Sequence, residues 1–102
     1  MSVSAGVDVQ LSININQLLD SLGITGRSNY NDRQVDGGRF ISSMEDKEIT
    51  AAFYHPSKMH SATVQGGFLG TDGKSIAKGG QWAIARGTRG PKGGSKTFYN
   101  II

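Results

Sequence analysis

The sequence predicts a mainly β fold: a curved antiparallel sheet or small β-barrel of about six strands with one short helix, in a single β-rich domain covering residues 1–102. Three observations carry this. Apolar residues recur at every second position in several short runs, the period of a strand with one buried face. The chain of 102 residues contains 15 glycines, many lying between those runs, where they mark turns, bends and bulges. Apolar residues make up only 36% of the chain, which at this size supports one modest core.

Taken in order, Val7, Val9, Leu11, Ile13 and Ile15 alternate with polar partners, so the first strand has one solvated face. Leu18, Leu19 and Leu22 then fall at helical spacing before Gly23, which predicts a short helix from Asn16 to Leu22. Ile24 to Gly38 is polar and rich in turn formers and reads as a long loop. Tyr30 within it is a candidate contact residue, since an aromatic in a polar loop can anchor a partner. Arg39 to Ser43 is a short strand, and Met44 to Lys47 a hairpin turn.

Glu48 to Thr71 holds the most concentrated apolar pattern. Ile49, Ala51 and Phe53 face one side of a strand, and Thr50, Ala52 and Tyr54 the other. Pro56 cannot donate a ladder hydrogen bond and stops that strand near His55. A second strand starts near Ala62 and runs through Phe68 and Leu69, with Gly66 and Gly67 as a bulge or bend inside it. Asp72-Gly73 sits where a tight turn is expected. Lys74 to Ala77, Gln81 to Arg86 and Thr97 to Ile102 are further strands, separated by Gly79-Gly80 and by the basic, flexible glycine-rich loop Gly87 to Lys96.

No catalytic signature is complete, and no enzymatic activity is expected. In GFLGTDGKS the residue five before Gly73 is Phe68, where a phosphate-binding loop requires glycine. His55 and His60 are the only histidines; their spacing and the intervening Pro56 give no metal-ligand set, and no cofactor is expected. A serine–histidine pair at Ser57 or Ser61 lacks an orienting acid and an oxyanion-hole motif. The absence of cysteine excludes disulfides and fits a reducing compartment. Neither a secretory signal in the first ten residues nor a membrane span is visible, so a cytoplasmic location is expected.

Charge is unevenly distributed. Through Gly73 there are five Lys/Arg against eight Asp/Glu; from Lys74 onward there are six Lys/Arg and no acid. Lys74, Lys78, Arg86, Arg89, Lys92 and Lys96 therefore form a candidate basic patch. Cations on a glycine-rich loop, with Trp82, Phe98 and Tyr99 nearby, suit phosphate neutralisation and base stacking. The competing reading is a hairpin tip with core aromatics beneath it.

Phe53-Tyr54-x-Pro56 followed by Ala62-x-Val64-x-Gly66-Gly67-Phe68 resembles a motif of the transferrin-binding-protein-like β-barrels. The likeness covers about 16 residues, with His55 in place of the family's glycine, a longer connection and no turn glutamate. It implies an antiparallel barrel module that binds a host protein or haem.

The leading expectation is a small binding protein, of the size of an inhibitor, docking through the basic patch and Tyr30 on nucleic acid or a nucleoprotein. The alternatives are the barrel module with a protein ligand, and a structural subunit that self-assembles through the C-terminal strand edge.

Overall fold

The computed structural model describes residues 19–20, 30–45, 47–91 and 93–102. They form seven strands: β1 (Tyr30–Val35), β2 (Gly38–Glu45), β3 (Glu48–Tyr54), β4 (His60–Gln65), β5 (Gly73–Ala77), β6 (Trp82–Thr88) and β7 (Lys96–Ile101). All pairings are antiparallel. They build a four-stranded sheet of order β1-β2-β3-β6 and a three-stranded sheet of order β5-β4-β7. The mainly β expectation holds, and the sheets do not close into a barrel. Leu19 and Asp20 are helical; the rest of the expected helix and the expected strand from Val7 to Ile15 lie outside the described residues. Among the described residues, no helix is long and apolar enough to cross a membrane.

The core lies between the sheets. Phe40, Phe53 and Ala83 are register partners across β2, β3 and β6 and pack with Ala62 and Val64 of β4. Phe53 is fully buried, with ring centroids at 4.7 Å from Tyr99, 5.4 Å from His60 and 6.2 Å from Phe40. The outer face of the larger sheet carries a second cluster, in which Leu19 packs with Ile41 and Ala52, bordered by Trp82 and Ile84. β3 is therefore buried on both faces from Ile49 to Tyr54. That explains why EITAAFY lacks the apolar–polar alternation of a half-exposed strand.

The loop expected at Ile24 to Gly38 contains β1. Its first five residues are exposed, so no apolar period betrays it. It is held by the hairpin turn Asp36-Gly37, whose φ values of 50° and 81° are the positive pair that a two-residue type I′ connection requires. Arg39 adds a two-point ion pair to Asp32, with Nε and a terminal nitrogen donating at 2.8 and 2.6 Å.

Two further expectations are corrected. Gly66 and Gly67 end β4 instead of bending it, and Phe68 and Leu69 stand in the β4–β5 connection. Asp72-Gly73 is no hairpin turn. Gly73 is the first residue of β5, and a Cβ there would collide with the Arg86 carbonyl oxygen, so glycine lets the two sheets meet at the β5–β6 corner.

Candidate functional site

Three connections converge at one end of the sandwich: the β2–β3 turn at Lys47, the β4–β5 connection at residues 66–72 and the β6–β7 connection at residues 89–95. Main-chain bonds tie them together. Arg89 N donates to Lys47 O at 2.6 Å, Gly90 N to Gly66 O at 2.7 Å and Thr71 N to Thr88 O at 3.0 Å. Gly66 O also accepts from Ser95 Oγ at 3.0 Å, and Gly66 N donates to Asp72 Oδ1 at 3.0 Å. The strands approach so closely because no side chain intervenes: a Cβ on Gly66 would strike Thr88 O, and one on Gly90 would strike Phe68 O.

This rigid platform displays apolar residues. Phe68 is 66% exposed and Leu69 75%, and Leu69 adopts φ 65°, a conformation that bulky residues rarely take. Beside them is an open recess of about 510 Å³ lined by Lys47, Leu69, Thr88, Arg89, Gly90 and Pro91. Sequence reasoning missed Phe68, Leu69 and Lys47 as surface elements. The signal was an apolar pair enclosed by glycines, GGFLG, with no alternating partner beyond it.

The expected basic patch is not one face. Arg89 lines the recess. Lys74 and Lys96 lie on the outer face of the smaller sheet, beside Thr63 and Gln65 respectively. Arg86 lies on the outer face of the larger sheet. It occupies one crosswise row with Thr50, Ser43 and Tyr30, so Tyr30 stands three strand spacings away, roughly 14 Å. Arg86 has Glu48 at 3.9 Å, both side chains well exposed, a contact of little energetic weight. Lys78 follows β5 at the opposite end of the sandwich, in a turn closed by Gln81 N donating to Lys78 O at 3.2 Å. Lys92 lies outside the described residues. The basic loop is also less free than expected, since Arg89, Gly90, Gly93 and Ser95 all bond to main chain.

Both histidines are taken up by main chain. His55 Nδ1 accepts from Ser57 N and Lys58 N at 3.2 and 3.0 Å. The ring nitrogens of the fully buried His60 lie 2.7 Å from the carbonyl oxygens of Lys58 and Gln81. Among the described residues, no group of three or more His, Cys, Asp or Glu side chains could hold a metal ion.

The family model described as "Bacteriocin (Lactococcin_972)" matches residues 36–99, from the β1–β2 turn to β7. The chain belongs to the lactococcin 972 bacteriocin family. The solved structure of lactococcin 972 is similar to it, with a TM-score of 0.57 and 29% sequence identity over 64% of this chain and 98% of that one. Comparison with the curated proteins finds no matching sequence.

Membership of this family overturns several expectations. The likeness to transferrin-binding-protein-like barrels is coincidental. Its two halves fall on β3 and β4, which belong to different sheets and are not ladder partners. Host-protein or haem binding and the self-assembling subunit go with it, and neither is supported for a bacteriocin. Docking on nucleic acid or a nucleoprotein, and the inhibitor role attached to it, are likewise corrected; the register of the strands places Lys74 and Lys96 on one outer face and Arg86 on the other. The cytoplasmic expectation fails because bacteriocins of this family are secreted. A cysteine-free chain is compatible with that, since the described fold rests on a two-sheet core. The family is generally non-enzymatic.

Proposed function

We propose that this protein is a secreted bacteriocin that arrests susceptible bacteria by binding their envelope, without catalysing a reaction. The observation that carries this is the family match over residues 36–99, a span that includes all three connections of the converged end. Two features support binding over catalysis. The histidines, the natural acid–base candidates, are engaged by main chain. The converged end presents apolar side chains beside cations, a surface for contact. The formal net charge of +3 adds long-range attraction to an anionic cell surface, which raises encounter rates at low salt.

The purified protein is to be applied to a panel of bacterial species. The expected result is growth arrest of some of them, with an inhibitory dose that rises in proportion to cell density because each bound molecule is consumed. Failure to inhibit any species would overturn the antibacterial reading. A dose independent of cell density would overturn the binding mode, since a catalyst turns over.

A further inference from the structure

We propose that the outer face of the smaller sheet is a lipid-docking surface, which lays Ile76, Phe98, Met59 and Ile102 on the interface of an anionic bilayer and sets Lys74 and Lys96 at its headgroups. Both flanking strands of that sheet alternate between exposed and half-buried residues. Ala62 and Val64 of the central strand face the core, so the exposed set points outward. Register gathers it into rows. Lys74 and Phe98 flank Thr63, Ile76 and Asn100 flank Ser61, and Lys96 stands beside Gln65. Ile102 N donates to Met59 O at 2.9 Å, which carries the same alternation one residue past the paired strands and adds Met59 and Ile102 at the edge. The four apolar residues are between 43% and 62% exposed. The larger sheet is different, because Leu19 packs on its outer face against Ile41 and Ala52. Large apolar residues gathered on one open sheet face mark an interaction surface.

Charge and residue type select the partner. None of the three strands contains an aspartate or glutamate. Asp72, the acid next to β5 in the chain, accepts from Gly66 N at the converged end. Neither Lys74 nor Lys96 has an ion-pair partner among the described residues. A second copy of the chain would set lysine against lysine with no acid to answer it. Protein interfaces favour arginine and are depleted in lysine, and both cations here are lysines. A soluble polyanion would use the lysines and leave Ile76, Met59 and Ile102 in water. An anionic bilayer uses both sets at once. Its headgroup–acyl boundary takes the apolar side chains, and its phosphates take the ammonium groups, which long stems carry clear of the sheet.

The docking stands on the geometry; only the statement that the bilayer belongs to a target bacterium rests on the proposed function. The test uses the full chain and unilamellar vesicles of phosphatidylglycerol mixed with phosphatidylcholine, with pure phosphatidylcholine in parallel, read by co-sedimentation. Ile76→Thr and Phe98→Thr keep a residue suited to a strand. Each is expected to weaken partitioning roughly threefold to tenfold, and the pair about tenfold or more. Lys74→Gln and Lys96→Gln should each lose about fivefold on anionic vesicles and nothing on neutral ones. All four positions are exposed, so unchanged melting temperatures separate docking from folding. Leu69→Asn, in the apolar tip Phe68-Leu69 at the converged end, is the control and should bind as wild type does.

A wild type that ignores anionic vesicles would overturn the proposal. So would equal partitioning of wild type and the Ile76→Thr/Phe98→Thr double variant, since binding through the lysines alone is plain attraction to a polyanion. A loss in Leu69→Asn as large as in the double variant would move the contact to the other end and overturn it too. Vesicle binding that depends on this face, in a protein that arrests no bacterium, would uphold the docking and remove the antibacterial reading; growth arrest by a protein that ignores vesicles would do the reverse.

Discussion

Gly90→Ala tests the construction of the converged end most directly. The Gly90 amide bonds to Gly66 O at 2.7 Å, and the added methyl would collide with the carbonyl oxygen of Phe68. Both obstacles are backbone, so no side chain can swing aside. Overpacking of this kind costs about 1–3 kcal/mol, and the displaced amide loses about 0.5–1.5 kcal/mol more. Together that is roughly 2–4 kcal/mol, which in a domain of this size lowers the melting temperature by about 4–8 °C per kcal/mol. Gly93→Ala is the control. Its φ of 81° is left-handed, unlike that of Gly90, but nothing lies within 4 Å of the added Cβ, so only backbone strain of about 1–2 kcal/mol applies. Thermal unfolding by circular dichroism, with growth inhibition on the same samples, should rank Gly90→Ala clearly below Gly93→Ala in both. Equal melting temperatures would refute the view that close main-chain contact builds this end.

Other perturbations follow from the core and its clasps. Phe53→Ala, at the centre of the aromatic cluster, should cost about 3–5 kcal/mol in urea denaturation. His60→Phe removes the ring nitrogens that lie 2.7 Å from the carbonyl oxygens of Lys58 and Gln81; loss of a ring N–H bond to main chain costs about 0.5–1.5 kcal/mol, read in the same titration. Tyr99 donates its hydroxyl to Asp36 Oδ2 at 2.8 Å. That bond first, then desolvation and the Asp36 charge, raise its pKa above the ordinary 10.0 against a lowering by Arg33. Its contribution to stability is therefore full below about pH 10 and lost as pH rises through the raised value. Tyr99→Phe should flatten that alkaline loss in a pH series of melting temperatures.

The strands that were legible in the sequence are apolar runs with a marked boundary in the chain. β3 was bounded by Pro56, the Trp82 strand by Gly79-Gly80, and the C-terminal strand by the glycine-rich segment before it. β1 escaped because an edge strand with five exposed residues has no apolar period. Its only local mark was Asp36-Gly37. Leu69 escaped for the opposite reason: an apolar residue next to a strand reads as its continuation, and nothing local says that Gly66 must meet Thr88.

The chain order of residues thus determined which short segments are extended, where they stop, and that cations accumulate after Asp72. Tertiary structure decided how those segments are divided between two sheets, and with it which cations share a surface. Pairing register sends Arg86 to one outer face and Lys74 to the other, although only a few residues separate them from common turns. The apolar tip is a tertiary product as well, since its shape depends on contacts between glycines more than twenty positions apart, which no local pattern encodes.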